Sequence, residues 1–245
     1  MTKSKSKVRA RKMKEQFASE YIGTAFLLAI IVGSGIMGEN LAGGNEAIAL
    51  LANSLATGAG LFVLIQCLGS ISGAHLNPVV SLVEVLWGRL DRKSLLIYWT
   101  AQFLGAANGV FLTHLMFNQE ILQISLKRRV GSHLWFSEFI ATFGLICTIA
   151  LAGRKHIEFA PLSVAAYISS AYWFTASTSF ANPAVTVARM LTNTFSGIHP
   201  SGVLPYILAQ TVGALFAFCL LSKSAAFTSE KEEKRNKGTP SVLGD

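Results

Sequence analysis

The chain has 245 residues, of which 51% are hydrophobic and only 14% charged, with a formal net charge of +8 and a mean hydropathy of +0.47. A water-soluble domain this apolar would lack a polar surface. The charges crowd into the two ends and a few short connections, so the positive balance reads as membrane topology and not as a nucleic-acid footprint.

A basic segment, residues 1–16, opens the chain with Lys3, Lys5, Lys7, Arg9, Arg11, Lys12 and Lys14 and reads as a cytoplasmic tail. Apolar stretches of about 20 residues follow, the length that crosses a bilayer core. They predict full spans over roughly 17–38, 46–69, 94–117, 133–153, 160–178 and 203–222. The first span lacks a clear cleavage site and reads as retained. Two shorter helical stretches lie at roughly 78–88 and 183–194. About eleven residues at 1.5 Å per residue cover about 16 Å, half the hydrocarbon thickness, so neither crosses alone. Each begins in mid-membrane, where non-helical backbone persists only if protein buries it or a wet cavity meets it. A charged cytoplasmic tail, 223–245, closes the chain; its contact with anionic lipid and plain solvation remain equal readings.

Each short stretch opens on an Asn-Pro: Asn77-Pro78-Val79 and Asn182-Pro183-Ala184. Proline suits the first helical position, because its missing N–H has no intrahelical partner there. Asparagine suits the cap before it. Other features recur in the same order. Ser19-Glu20-Tyr21-Ile22-Gly23-Thr24 parallels Ser137-Glu138-Phe139-Ile140-Ala141-Thr142, and Tyr98, Ala101, Gln102, Gly105 and Ala106 parallel Tyr206, Ala209, Gln210, Gly213 and Ala214. Three spans per half is an odd number, so the second half enters from the opposite side. The expected fold class is therefore an all-α membrane protein with six transmembrane helices plus two re-entrant half-helices in an inverted repeat. The channel unit covers 17–222, with halves of about 17–118 and 133–222.

Six spans put the N-terminal segment, Arg89, Arg92 and Lys93, Arg154 and Lys155, and the C-terminal tail on one side. That side holds all of the 21 basic residues except Lys127, Arg128, Arg129 and Arg189. The positive-inside pattern predicts both termini in the cytoplasm. Cys67, Cys147 and Cys219 lie in apolar segments without metal-ligand spacing and read as small core residues; no metal or cofactor is expected.

On Ser72-Gly73-Ala74-His75-Leu76-Asn77-Pro78-Val79, Asn182-Pro183-Ala184, the two Glu-x-x-x-Thr signatures and the two Ala-Gln-x-x-Gly-Ala copies, the chain resembles the aquaporin and aquaglyceroporin family, the major intrinsic proteins, over about 17–222. The resemblance implies that Asn77 and Asn182 turn their amides into the middle of a pore, where water rotates its oxygen toward them and the proton-carrying wire is interrupted, the logic of aquaporin-type pores in general. It implies that backbone carbonyls of 73–76 and 178–181 line the pore and that His75 sits beside its inner half, a structural role for this histidine being the alternative. Glu20 and Glu138 lie inside spans, where a lone carboxylate is costly. The inverted copy and the family fold favour acceptance of hydrogen bonds from the re-entrant loops; a proton relay is the alternative. The resemblance also implies a homotetramer, one pore per protomer, in a bilayer, here a bacterial inner membrane.

The family's outer constriction usually holds an arginine three residues after the second asparagine; here Val185 stands there. The remaining ring positions fall on Thr57, Ser179 and, on the fifth span, Ser170 or a neighbour. Such a ring is wide, neutral and mildly polar. Arg189, seven residues after Asn182, is expected at the outer vestibule, and Glu84, seven after Asn77, near the inner mouth. The bland reading of both is helix-end charges paired with neighbours. The chain is then expected to be no enzyme but a passive channel for water and small uncharged solutes: glycerol-like polyols, urea, and neutral metalloid hydroxides such as arsenite or methylated arsenic species. Bacterial relatives with atypical filters are associated with arsenic, which is analogy alone. A gated secondary transporter of a small neutral solute is the alternative; it requires a coupling-ion site, and no aspartate lies near either Asn-Pro.

Overall fold

The computed structural model describes residues 3–152 and 157–223, with side chains for 8–152 and 158–223. The described residues form eight α-helices: α1 (Lys3–Leu41), α2 (Glu46–Ser72), α3 (Pro78–Leu86), α4 (Arg92–Met116), α5 (Ser132–Ala152), α6 (Ala160–Phe174), α7 (Pro183–Arg189) and α8 (Pro200–Ser222). Residues 224–245 of the proposed tail 223–245, and Arg154 and Lys155 of the charge pattern, lie outside the described residues.

Five helices, α1, α2, α4, α5 and α8, are long and apolar enough to cross a membrane. The sixth spanning element is α6, preceded by a 3-10 turn over Ile157–Phe159. It stops at Phe174 and not at residue 178, because Thr175 turns extended at φ −109° and ψ 135°. The half-helices are also shorter than the sequence suggests, ending at Leu86 and Arg189. Gly88, at φ +77°, turns the chain after the first. The second gives way to a loop whose backbone pairs with another loop. The basic N-terminal segment is helical in its described part, since α1 begins at Lys3. Its Arg9 reaches Asp91 at the start of α4, 3.3 Å away.

Packing follows the repeat. Helix α1 lies against α4 and α2, α5 against α8 and α6, and α2 joins the halves by packing on α6. Helices α3 and α7 touch each other, and each packs against both α4 and α8. The close approaches are made by glycine. A Cβ on Gly105 of α4 would meet the Tyr21 carbonyl of α1, and one on Gly213 of α8 would meet the Phe139 carbonyl of α5. These are equivalent contacts in the two halves, the small-residue packing that membrane helices use.

The core includes Leu28, Val32, Val83, Val110, Ile146 and Ala184, all at most 1% exposed. The cysteines are not part of it as the sequence suggests: Cys67 and Cys219 are exposed on the outer wall of the bundle and Cys147 is half-buried. Their apolar character suits a lipid-facing helix surface as well as a core, which is why composition does not separate the two.

Candidate functional site

The two asparagines cap the half-helices. Asn77 is extended at φ −156° and ψ 122°, and its Oδ1 accepts from Val79 N at 3.1 Å. Asn182 is extended at φ −158° and ψ 115°, and its Oδ1 accepts from Ala184 N at 3.0 Å and Val185 N at 3.3 Å. Pro78 and Pro183 hold the first helical positions. Because each side-chain oxygen is committed to its own helix, each Nδ2 turns away from it. Asn77 Nδ2 donates to the Ala181 carbonyl and Asn182 Nδ2 to the Leu76 carbonyl, both at 2.8 Å. An amide nitrogen carries two hydrogens, so each keeps one donor free of these bonds.

The segments leading into the caps run through left-handed backbone: Ala74 (φ +46°) and Leu76 (φ +49°) in one half, Thr178 (+62°), Ser179 (+50°) and Ala181 (+47°) in the other. Such conformations cost non-glycine residues roughly 1–2 kcal/mol each. They persist because carboxylates from neighbouring helices hold the amides. Glu20 of α1 accepts from His75 N (2.9 Å), Leu76 N (2.7 Å), Ser72 Oγ (2.6 Å) and Gln102 Nε2 (2.8 Å). Glu138 of α5 accepts from Phe180 N (2.9 Å), Ala181 N (2.8 Å) and Gln210 Nε2 (2.6 Å). Gln102 also donates to Ser81 Oγ and Gln210 to Thr186 Oγ1, each at 2.9 Å, which ties each half-helix to the last helix of its own repeat. Both glutamates are fully buried and bonded to the loops.

A cavity of about 270 Å3 runs past the two asparagines. One wall is aliphatic, from Leu61, Ile65, Leu145, Ile149, Val164 and Ile168. The lining also includes Asn77, Asn182 and the re-entrant segments 73–76 and 179–181. Thr57, Ser179 and Val185 all reach it, as do His75 and Arg189. Pro78, Val79, Pro183 and Ala184 do not: they are buried behind the asparagines, so only the first residue of each motif meets the cavity. His75 is half-buried, with Nδ1 3.0 Å from Ser81 Oγ and its ring 4.9 Å from that of Tyr98. Ser179 Oγ is buried and has no hydrogen-bond partner among the described residues. A polar solute in the cavity can supply one.

Ser170 is not part of this lining. It is exposed, and its hydroxyl donates to the Tyr167 carbonyl of its own helix at 2.7 Å. The fifth spanning helix instead offers Ile168 and Tyr172 to the cavity, and Tyr172 OH donates to Thr57 Oγ1 at 3.2 Å. Counting back from Asn182 misses this because α6 ends early and the chain between Phe174 and Asn182 is not helical.

Arg189 also differs from expectation. It does not extend into an open vestibule: it is 2% exposed, donates through Nε to the Ser196 carbonyl, and its guanidinium carbon lies 3.4 Å from the centre of the Phe180 ring. Glu84 lines the cavity at the C-terminal end of α3 and pairs with Arg89 at 3.2 Å. At the α7 end the connection after α4 folds over the loop after α7. Ser125 N donates to Met190 O, His199 N to Lys127 O, and Arg129 Nε to Gly197 O at 3.0 Å. Burial lowers the affinity of the Lys127 ammonium for its proton, and the neighbouring Arg129 charge acts in the same direction.

The cavity is lined by four spanning helices, α1, α2, α5 and α6, and by the two capped half-helices with the loops that lead into them. Comparison with known proteins identifies the family. A sequence profile described as major intrinsic protein matches residues 7–177. The chain is 51% identical over 203 residues to the aquaglyceroporin AqpS of Rhizobium meliloti, a match that covers 83% of this chain and 87% of that one. It is 32% identical over 207 residues to the aquaporin NIP2-3 of Zea mays, covering 80% and 65%. The X-ray structure of the aquaglyceroporin from Plasmodium falciparum superposes with a TM-score of 0.65, covering 87% of this chain and 97% of that one; at 21% identity this is a likeness of fold. The chain belongs to the major intrinsic protein family, whose members are passive membrane channels and not enzymes.

Proposed function

We propose that the cavity is a pore for water and for uncharged solutes larger than water, including glycerol-like polyols, urea and neutral metalloid hydroxides such as arsenite or methylated arsenic species. The observation that supports this reading is that Thr57, Tyr172, Ser179 and Val185, read here as a ring at the α7 end, all line the cavity. No side chain in it is cationic, and Val185 is a short aliphatic residue on the first turn of α7. The free Ser179 hydroxyl and the spare amide hydrogens of Asn77 and Asn182 offer a staggered set of partners to a solute with several hydroxyl groups. The aliphatic wall fits the carbon side of such a molecule. The similarity to a bacterial aquaglyceroporin supports the same solute class.

In this reading both termini face the cytoplasm of a bacterium, the α7 end opens outward, and residues 17–222 form the conducting unit of a homotetramer, each protomer with its own pore. The test is stopped-flow light scattering on vesicles containing the purified protein, with water, glycerol, urea and trivalent arsenic compared. Val185→Arg is expected to cut flux of the larger solutes by at least about tenfold, with water less affected. Equal permeation of all solutes through wild type and variant overturns the reading.

A further inference from the structure

Arg189 is a buried cation on the wall of the cavity, and the proposed function gives it no task. Its position is built. The side chain leaves the last residue of α7, lies against the face of Phe180, and is anchored at Nε by the Ser196 carbonyl. Ser196 is itself fixed, because its hydroxyl donates to the Ile31 carbonyl at 3.0 Å. Ile198 N closes the loop onto the Arg189 carbonyl at 3.1 Å. Only Nε is consumed by this scaffold. Among the described residues the Nη groups have no hydrogen-bond partner, and no carboxylate stands within ion-pair distance of Arg189. An arginine placed only as a strut would be expected to spend its fork of donors. This one lines the cavity with four N–H groups that no described residue accepts from, its charge held against the face of Phe180.

Phe180 carries a second cation on its ring, since the Arg129 guanidinium carbon lies 5.4 Å from the ring centre. Arg129 is satisfied by the Gly197 and Phe195 carbonyls, which leaves Arg189 as the group turned to the cavity.

We propose that Arg189 is the charge filter of this pore: its guanidinium, stacked on Phe180 next to Ser179 of the ring that sets solute size, repels cations, hydrated protons included. The inference rests on the proposed conducting role of the cavity. Val185 and Arg189 share a face of α7, about 6 Å apart along its axis. Size selection and charge exclusion, which one arginine at position 185 would combine, are divided between two positions. The ring at Val185 stays wide enough for a polyol, while the cation beside Phe180 keeps the same path closed to potassium. A fixed charge in a low-dielectric cleft changes local ion concentrations by factors of ten to a thousand.

The test uses the full chain in planar bilayers and vesicles. Bi-ionic reversal potentials in potassium chloride gradients are measured for wild type, Arg189→Gln and Arg189→Lys, with glycerol and water flux alongside. The residual ionic leak of the wild type is expected to prefer chloride over potassium. Arg189→Gln, which keeps a donor for Ser196, should raise potassium permeability about tenfold or more, with glycerol flux within about twofold. Arg189→Lys should retain exclusion. A wild-type leak that prefers potassium overturns the proposal whatever the variants do. So does equal potassium permeability in the Gln and Lys variants, which is what a strut predicts. Failure of the solute reading is distinguishable: it appears as absent glycerol and urea flux in the wild type and leaves the ionic measurement standing.

Discussion

Asn182 donates its Nδ2 hydrogen to the Leu76 carbonyl at 2.8 Å, across 106 residues and from one repeat to the other. The same side chain caps α7 through its oxygen. One amide thus starts a half-helix, ties it to the other half-helix's loop, and keeps one hydrogen for the cavity. Asn182→Ala removes all three. Loss of the cap, which strands the α7 amides, costs about 1 kcal/mol, and the stranded Leu76 carbonyl adds about 1–3 kcal/mol. Flux of water and of glycerol should both fall at least about tenfold, with a lower melting temperature in detergent. Asn77→Ala should behave alike, because its Nδ2 bonds the Ala181 carbonyl and its Oδ1 caps α3, through one amide in place of two. Full flux in either variant would show that the amides do not order the pathway.

Glu20 accepts four hydrogen bonds and Glu138 three, and both are 0% exposed. Replacing either by glutamine turns one acceptor into a donor facing a backbone N–H. The expected loss is about 2–4 kcal/mol for each, larger for Glu20→Gln because it also holds Ser72. Thermal unfolding of the purified variants checks the order. Equal melting of Glu20→Gln and wild type would refute the view that this carboxylate holds the left-handed backbone at Ala74 and Leu76.

Gly105 and Gly213 stand at equivalent crossings, each under the carbonyl of a neighbouring helix. Alanine is the better helix former by about 1 kcal/mol, so propensity alone favours the substitution. Overpacking against fixed backbone costs about 1–3 kcal/mol and should win. Both Gly105→Ala and Gly213→Ala are expected to lower the melting temperature, and by similar amounts if the inverted repeat carries the same load in both halves. Glycerol flux per folded protein should change less than stability does.

The parts of the site readable from sequence are those fixed by local chemistry. Asn-Pro specifies a capped helix start wherever it occurs, and two copies at stretches too short to span specify where the starts must be. Glu20 and Glu138 stand out because a carboxylate inside an apolar span requires partners. What escaped depends on where the chain stops being helical. The sequence over Thr175-Ala176-Ser177-Thr178-Ser179 gives no sharp boundary, yet α6 ends before it, and two residues of displacement carry the cavity position from Ser170 to Tyr172. Arg189 escaped for a different reason. A helical wheel places it on the Val185 face, but the bend toward Phe180 is set by the Ser196 carbonyl, in a loop whose course depends on pairing with residues 125–129. Side-chain direction at a helix end is a tertiary property.

The exchange of Ser170 for Tyr172 has a consequence for selectivity. A ring of this size stands against Thr57, and their bond uses one of the hydroxyls that a solute would otherwise meet. The tyrosine therefore narrows the pathway and makes it less polar than a pair of small hydroxyl residues would. Tyr172→Val should widen the ring, with glycerol flux rising several-fold relative to water flux. It also removes a buried aromatic, at a stability cost of about 3–5 kcal/mol. Tyr172→Phe serves as the packing control, keeping the ring and releasing the Thr57 hydroxyl. It should preserve the flux ratio within about twofold, since removing one hydrogen bond changes energies by about 1 kcal/mol. Ser170→Val, on the exposed side of the same helix, should leave the ratio unchanged. Stopped-flow ratios for the three variants check the assignment. A shift with Ser170→Val and none with Tyr172→Val would return the fifth-helix position to the serine and would mean that α6 is rotated in the membrane.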